Sequence, residues 1–212
     1  MPQLLLFNKP YLVLSQFTEP TGPAGKTAKQ TLAGFIDAPG FYAAGRLDYH
    51  SEGLLLLTNN GKLQARIASP ENKVWKHYWA QVEGDATETA LQPLRDGIEL
   101  KDGPTKPARV SRLAHSPAPW PRTPAVSPSR AARSSWMDIA IYEGRNRQVR
   151  RMCAAIGLPV LRLVRYRIGD WQIGELQPGQ QRRINIPMPD SVKTPNIAAG
   201  KSRGPSKTSR RH

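Results

Sequence analysis

The sequence predicts a single α+β domain in which a mixed, mostly antiparallel sheet carries flanking helices and loops. Three segments lead to this prediction. Residues 76–82 alternate between two faces as a strand does, residues 54–57 form an apolar run of strand length, and residues 146–157 repeat apolar side chains at helical spacing. The 212 residues suffice to bury a substantial core. We place the folded domain at residues 1–187 and a basic, disordered tail at residues 188–212.

The N-terminal part of the chain is predicted to alternate between short strands and helices. Residues 4–7 and 12–17 are two short strands on either side of an Asn-Lys-Pro-Tyr turn. Residues 27–36 can form a helix with one apolar face, and Asp-Ala-Pro-Gly ends it. A strand at residues 41–44 then leads to a polar loop and the apolar run, and a short helix follows Gly61.

The middle of the chain is predicted to hold most of the antiparallel pairing. Residues 76–82 form a strand, and residues 87–94 form a helix whose first residue is a suitable N-cap. Residues 98–113 indicate a pair of strands that turn at an Asp-Gly sequence. Residues 114–130 contain five prolines, which remove backbone donors, so we expect an extended surface loop there.

The C-terminal part is predicted to return to the sheet around one amphipathic helix. Residues 136–142 form a strand, and Asn146 is the expected N-cap of the helix at residues 146–157. A strand at residues 160–164 follows. Residues 173–186 are expected to add a final, irregular region of sheet.

The composition points to a polyanionic partner. The chain has 31 Lys and Arg against 16 Asp and Glu, a net charge of +15, which attracts RNA or DNA regardless of sequence. A membrane surface is the rival partner, but no basic amphipathic helix with a bulky apolar face and no segment of transmembrane length supports it. The single cysteine, Cys153, excludes an internal disulfide framework and fits a reducing cytoplasm.

The loop at residues 45–53 is the first candidate for a functional site. It is bracketed by two glycines, carries Asp48 among other polar residues, and is attached to a strand predicted to be buried on both faces. A charged loop on such a rigid platform is a common mounting for a catalytic carboxylate. The alternative is that Arg46 and Asp48 are solvated loop charges.

A metal site is a further alternative for this loop. Asp48, His50 and Glu52 alternate along it, and two carboxylates with a histidine could hold Mg²⁺ or Zn²⁺. The sequence offers no second cluster of ligands, which disfavours a metal.

The predicted helix at residues 146–157 is the second candidate. On a helical wheel Arg150 falls at the edge of the buried apolar stripe, so it should be half desolvated and held by a carboxylate, with Asp48 a candidate partner. Arg147 and Arg151 fall on the exposed side. With Arg145 these arginines could hold several phosphates, although a solvated basic helix face is the alternative.

Tyr78 is the third candidate because it faces inward on an alternating strand. Such a residue is more often plain core. Aromatic rings also stack on extruded bases, so a catalytic role is possible.

Four segments together resemble the pseudouridine synthase family. They are FNKPYLVLSQF (7–17), GRLDYHSEGLLLLTNNG (45–61), KHY (76–78) and EGRNRQVRRMCAAIG (143–157). They occur in the family's order, and with the segments around them the resemblance spans residues 4–186. The branch that acts on ribosomal RNA fits best.

The resemblance implies the fold of that family's catalytic domain and the conversion of uridine to pseudouridine in RNA without a cofactor or metal. It identifies Asp48 as the catalytic aspartate, Arg150 as the basic partner of Asp48, and Tyr78 as the base-stacking tyrosine. The implied partner is large-subunit ribosomal RNA or its precursor, bound by a cytoplasmic monomer with no membrane partner. The basic residues expected to bind RNA are Arg46, Arg145, Arg147 and Arg151.

Two functions of other classes remain as alternatives. The first is a non-catalytic RNA-binding or ribosome-assembly protein with the same fold. The second is a metal-dependent nuclease that uses Asp48 and Glu52.

Overall fold

The computed structural model describes residues 1–19, 28–117 and 120–187, which form one sheet with helices packed against it. The strands are β1 (Gln3–Lys9), β2 (Tyr42–Ala43), β3 (Glu52–Thr58), β4 (Lys76–Glu83), β5 (Glu99–Leu100), β6 (Gly103–Pro104), β7 (Arg109–Leu113), β8 (Ser134–Ile141), β9 (Val160–Ile168), β10 (Trp171–Gln172) and β11 (Gln181–Asn185). The helices are α1 (Gly61–Ala68), α2 (Glu88–Asp96), α3 (Pro128–Ala131) and α4 (Gln148–Ala155). Two 3-10 turns lie at Leu32–Gly34 and Pro70–Asn72.

The main sheet has nine strands in the order β11-β1-β3-β9-β4-β8-β7, with β2 beside β3 and β10 beside β9. The pairing of β3 with β9 is parallel, and the other pairings are antiparallel. β5 and β6 form a separate hairpin. The predicted α+β class with a mixed, mostly antiparallel sheet is therefore confirmed.

The parallel pairing joins the two halves of the chain at one close contact. Glu52 lies opposite Val164, and Gly53 lies opposite Arg165. Gly53 has a φ of +104°, and a Cβ atom there would collide with the backbone of Arg165. Only glycine therefore allows β3 to begin this close to β9.

The apolar run on β3 contributes to both faces of the sheet, as predicted. Leu55 and Leu57 pack in one cluster with the apolar residues of α2 and α4. Leu54 and Leu56 pack in a second cluster with α1. All four side chains are fully buried, which fixes β3 as a rigid base for the loop that precedes it.

Several local patterns predicted their elements well. β4 covers the alternating segment, and Thr87 caps α2 by accepting a hydrogen bond from the Ala90 amide at 3.2 Å. α4 lies within the predicted helix, and the chain leaves it through Gly157 with a φ of +76°. The predicted N-cap is wrong, because Arg147 rather than Asn146 precedes the first helical residue.

The prediction for residues 12–17 and 27–36 is wrong. Residues 12–17 form no strand beyond a single bridge from Val13 to Gln30, and the described part of 27–36 holds only the 3-10 turn. The two segments bind each other: the Leu14 amide donates to the Gln30 carbonyl, and the Leu32 amide donates to the Gln16 carbonyl. These tertiary hydrogen bonds hold Gln30 and Thr31 extended and override the helical spacing.

The proline-rich segment is more ordered than a surface loop. Trp120 is only 5% exposed, and Pro128–Ala131 forms α3. Residues 118–119 and the predicted tail at residues 188–212 lie outside the described residues. Within the described ranges no helix has both the length and the apolar character needed to cross a membrane.

Candidate active site

A cleft of about 150 Å³ opens between the loop before β3 and the start of α4, where the sequence places the site. β4 and β9 supply its floor. Among the residues that line it are Arg46, Asp48, Lys76, Tyr78, Arg145, Arg147, Gln148 and Arg165.

The loop holds Asp48 through backbone hydrogen bonds on both sides. The Ser15 hydroxyl donates to the Leu47 carbonyl at 2.7 Å and accepts from the Leu47 amide at 3.1 Å. The Ser51 amide donates to the Asp48 carbonyl, and the Leu12 amide donates to the Tyr49 carbonyl, both at 3.0 Å. The Asp48 side chain is 28% exposed, so a fixed backbone presents a carboxylate that solvent can reach.

The predicted ion pair between Asp48 and Arg150 does not form within the described residues. The Arg150 guanidinium donates to the His50 carbonyl, to the Ser51 hydroxyl at 3.3 Å and to the Val160 carbonyl at 3.2 Å. Its Nη2 is thus directed to the loop just after Asp48. Arg150 fastens the loop to β9 rather than neutralising the carboxylate.

The cation that pairs with Asp48 is Arg147, whose Nη1 lies 3.9 Å from Oδ2. Arg147 has a left-handed φ of +46° immediately before α4. Burial, and after it the neighbouring Arg147, lower the pKa of Arg150, whereas Asp48 acts in the opposite direction. The carboxylate therefore sits in a field of two arginines but makes only one long contact with them.

Tyr78 lies on β4 with its side chain in the cleft, and it is 8% exposed. It faces Arg165 of β9 across a shift in register between His77 and Tyr78. The alternation of β4 predicts this inward direction. Asp48 and Tyr78, which are 30 positions apart in sequence, therefore line the same cleft.

Arg165 is a cleft residue that the sequence analysis missed. It is 5% exposed, its Nε donates to the Leu54 carbonyl at 2.8 Å and its Nη1 donates to the Arg46 carbonyl at 3.2 Å. Its buried Nη2 has no hydrogen-bond partner among the described residues. An arginine inside the apolar segment VLRLVRY is itself a signal, because a buried cation requires a partner or a ligand.

Two lysines also lie near the cleft. Burial, followed by the charge of Arg165, lowers the pKa of Lys76. Burial lowers the pKa of Lys9 to about 7, although Glu52 and Asp48 both oppose the shift. The Lys9 Nζ donates to the carbonyls of Pro10 and Val13 at 2.8 and 2.7 Å.

Glu52 has no part in the cleft, although it lies four residues after Asp48. Its carboxylate accepts two hydrogen bonds from Arg162, both at 2.9 Å, and a third from the Trp120 indole at 3.0 Å. Glu52 and Arg162 are both buried. Both Glu52 oxygens are thus occupied, and the described residues contain no cluster of three His, Cys, Asp or Glu that could bind a metal ion. Within the described residues Glu52 is therefore not free to bind a metal ion, which disfavours the nuclease alternative.

The four arginines expected to bind RNA, Arg46, Arg145, Arg147 and Arg151, divide into two pairs. Arg151 binds Asp102 through two nitrogens at 2.6 and 2.9 Å, and Arg145 approaches the same carboxylate at 3.2 Å. The Arg151 hydrogen bond lowers the pKa of Asp102 to about 2. Arg46 and Arg147 remain exposed at the cleft. The second pair is therefore the better placed to meet a phosphate.

Known proteins match this chain over most of its length. The model of the family described as RNA pseudouridylate synthase matches residues 3–155. The ribosomal large subunit pseudouridine synthase E of Xanthomonas campestris pv. campestris is 54% identical over 179 residues, which are 84% of this chain and 94% of that protein. The protein of the same name from Vibrio vulnificus is 51% identical over 185 residues, 87% of this chain and 76% of that one.

The fold agrees with a solved structure. A crystal structure of pseudouridylate synthase superposes with a TM-score of 0.69 at 29% identity, over 87% of this chain and 71% of that one. The sequence motifs YAAGRLD, EGRNRQVRRM and LRLVRY favour the large-subunit synthase E type within the family, and the two relatives confirm that resemblance. This chain belongs to the RNA pseudouridylate synthase family.

Proposed function

We propose that this protein isomerises a specific uridine to pseudouridine in large-subunit ribosomal RNA. The observation that carries the proposal is the meeting of Asp48, Tyr78 and several cations in one cleft of a basic chain. The relatives named as ribosomal large subunit synthases support ribosomal RNA as the substrate. We infer that the enzyme acts as a cytoplasmic monomer on that RNA or on its precursor.

The reaction needs a carboxylate more than any other group. The bond from the ribose to the base nitrogen must break, the base must rotate, and a carbon–carbon bond must form. Asp48 can attack the sugar, attack the base, or remove a proton from the sugar. Substrate and product are isomers, so each route is complete without an added oxidant, reductant or second substrate.

The neighbours of Asp48 support this role through charge and position. Arg147 brings a positive charge within 3.9 Å of the Asp48 carboxylate. Arg150 positions the loop that carries Asp48 by binding the two residues that follow Tyr49. Both arginines thus serve the aspartate, one by charge and the other by holding its backbone.

The other cleft residues receive the RNA. Tyr78 would stack on the uracil once it has left the helix, and its hydroxyl could help remove the final proton from the base carbon. Arg46 and Arg147 would bind phosphates, whereas Arg145 and Arg151 would act mainly by bracing the start of α4 against Asp102. Arg165 lines the cleft, and its buried Nη2 has no hydrogen-bond partner in the described part of the chain.

The test is to map pseudouridines in ribosomal RNA from cells that lack the protein. We expect one site or a small set of sites in the large subunit to revert to uridine. Wild-type protein should restore the modification, and Asp48→Asn should not. An unchanged map would contradict the proposal and favour the non-catalytic RNA-binding or assembly role.

A further inference from the structure

A row of three aromatic rings with a cation at each end lies beside the cleft. The Arg122 guanidinium lies 4.4 Å from the centre of the Tyr11 ring, and the Tyr11 and His50 rings are 5.9 Å apart. His50 meets Tyr49 edge-on at 5.0 Å, and the Lys29 ammonium lies 4.9 Å from the centre of the Tyr49 ring. The recognition strip is defined as Arg122, Tyr11, His50, Tyr49 and Lys29.

The recognition strip is continuous with the loop at residues 45–53, which is called the catalytic loop below because it carries Asp48. Tyr49 and His50 are the two residues after Asp48, and Arg150 donates to the His50 carbonyl. Arg122 reaches the strip from the proline-rich segment, where its Nη1 donates to the Leu161 carbonyl at 3.1 Å. Whatever binds on the strip therefore lies next to the proposed site of the target uridine.

The side chains of the recognition strip are open to solvent to different degrees. Lys29 and His50 are exposed, and Tyr11, Tyr49 and Arg122 are half-buried. Exposed contacts of a cation with a ring stabilise a fold only weakly, so packing alone explains little of this arrangement. Within the described ranges, neither Lys29 nor Arg122 has a carboxylate within 4 Å.

His50 contributes to the recognition strip as a neutral ring. Burial lowers the pKa of its imidazole, and Arg147, Arg150 and Lys29 add to the effect. Three neighbouring rings are therefore flanked by two cations, Arg122 over Tyr11 and Lys29 over Tyr49. Rings of this kind stack on unpaired bases, and the cations bind the phosphates between them.

We propose that the recognition strip binds the unpaired nucleotides that adjoin the target uridine. The proposal rests on the proposed function for the location of the target, but its ligand is distinct: single-stranded RNA next to the reacting nucleotide. Stacking would hold these nucleotides without reading their bases, and would keep the strand open while the uridine occupies the cleft.

The experiment measures affinity, which does not depend on turnover. An RNA stem-loop from large-subunit ribosomal RNA that carries the target uridine is compared with the same RNA made abasic at its unpaired nucleotides next to that uridine. Each is titrated against protein in an Asp48→Asn background, with and without the double change Tyr11→Ala and Arg122→Gln. These two residues lie outside the catalytic loop.

We expect the double change to weaken binding of the intact RNA about tenfold, and binding of the abasic RNA less than twofold. Removal of the bases should by itself weaken binding to the parent protein about tenfold. The loss of affinity from the double change and the loss from the missing bases should therefore not add. Tyr11→Phe keeps the ring and should bind like the parent protein. Arg183→Gln removes a matched cation, 5.0 Å from the Phe41 ring, and should reduce the affinity for both RNAs equally.

A double change that weakens both RNAs equally would overturn the proposal, because the recognition strip would then supply only charge or packing. Loss of binding by Tyr11→Phe would overturn it too, since that variant retains stacking. The proposed function has a separate test, which is the formation of pseudouridine by the wild-type protein. Strip-dependent binding without any product would contradict only the proposed function.

Discussion

Asp48 and Glu52 are two carboxylates four residues apart, and the fold places them in opposite environments. Glu52 is buried and accepts three hydrogen bonds from Arg162 and Trp120. Asp48 is partly exposed and has one ion pair at 3.9 Å. Glu52, whose two oxygens both accept hydrogen bonds, stabilises the protein. Asp48, whose oxygens make few contacts with the protein, is free to act on a substrate.

The difference follows from where the strand begins. Glu52 is the first residue of β3, so its side chain is enclosed between sheet and proline-rich segment. Asp48 precedes the strand, and its loop is held by backbone hydrogen bonds and by the side chains of Ser15 and Arg150. A shift of four residues therefore separates a structural acid from a candidate catalytic one.

The largest expected effect is on turnover by Asp48→Asn. The change keeps the size and removes the charge, so single-turnover formation of pseudouridine should fall by about 10²–10⁴-fold while RNA affinity and thermal stability stay near wild type. Asp37→Asn, at an exposed position, is the matched control. Turnover within tenfold of wild type in Asp48→Asn would remove Asp48 as the catalytic acid.

The counterpart is a loss of stability in Glu52→Gln. It leaves the Arg162 guanidinium buried without its anion, so the free energy of unfolding should drop by about 3–5 kcal/mol, with turnover per folded molecule largely kept. Urea denaturation measures the first quantity and single-turnover assays the second. Adding Arg162→Met to Glu52→Leu should recover much of the loss, because both buried charges are then gone. A stable Glu52→Gln protein with no turnover would reverse the two roles.

Changes at Tyr78 test the cleft on the Asp48 side. If stacking is its main role, Tyr78→Ala should raise the free-energy barrier to turnover by about 1–3 kcal/mol. Tyr78→Phe should raise that barrier much less. The measurement is the rate of product formation at saturating RNA. Equal damage in both variants would make the hydroxyl the important group and favour proton removal.

The charges of both carboxylates act on the pKa of Lys9. This lysine should make the free energy of unfolding depend on pH. Its pKa is lowered to about 7 in the folded protein, so between pH 7 and 10 the unfolded chain binds the extra proton. The free energy of unfolding should therefore rise with pH in that window, by at most about 1.4 kcal/mol per pH unit from this residue. Lys9→Met should have a flatter pH profile, and an identical profile would contradict the low pKa.

The smallest effect is expected for Arg147→Gln. Its long ion pair with Asp48 is partly exposed, and such pairs contribute about 0.2–1 kcal/mol, so turnover should fall less than about tenfold. Arg151→Gln removes the same charge from α4 but breaks the pair with Asp102, and should leave the saturated rate unchanged. A collapse of turnover in Arg147→Gln would show that Asp48 depends on this one cation.

Local periodicity explains what the sequence could predict. The apolar run of β3, the alternation of β4 and the stripe of α4 each depend on neighbours in sequence, and each was found with nearly correct boundaries. Tyr78 was placed inward, and Arg150 at the edge of the core, by the same reasoning. The loop with Asp48 was found from its glycines and its position before a buried strand.

Partners distant in sequence explain what could not be predicted. Glu52 and Arg162 are 110 positions apart, and nothing near Glu52 indicates that an arginine and a tryptophan will enclose it. The helix expected at residues 27–36 was lost to pairing with residues 13–16. The partner of Arg150 was missed for a finer reason: the guanidinium reaches the backbone beside Asp48 instead of its carboxylate.

The glycine contact between β3 and β9 also has a consequence for the order in which the protein folds. β9 lies between β3 and β4 in the sheet, yet β4 is complete about 80 residues earlier in the chain. During synthesis at the ribosome, Gly53 cannot pair with Arg165 until β9 has been made. The strand that supports the loop with Asp48 is incomplete until then. Contacts between such distant residues form late and slowly. A nascent chain thus cannot complete the base of the loop that carries Asp48 until β9 has emerged.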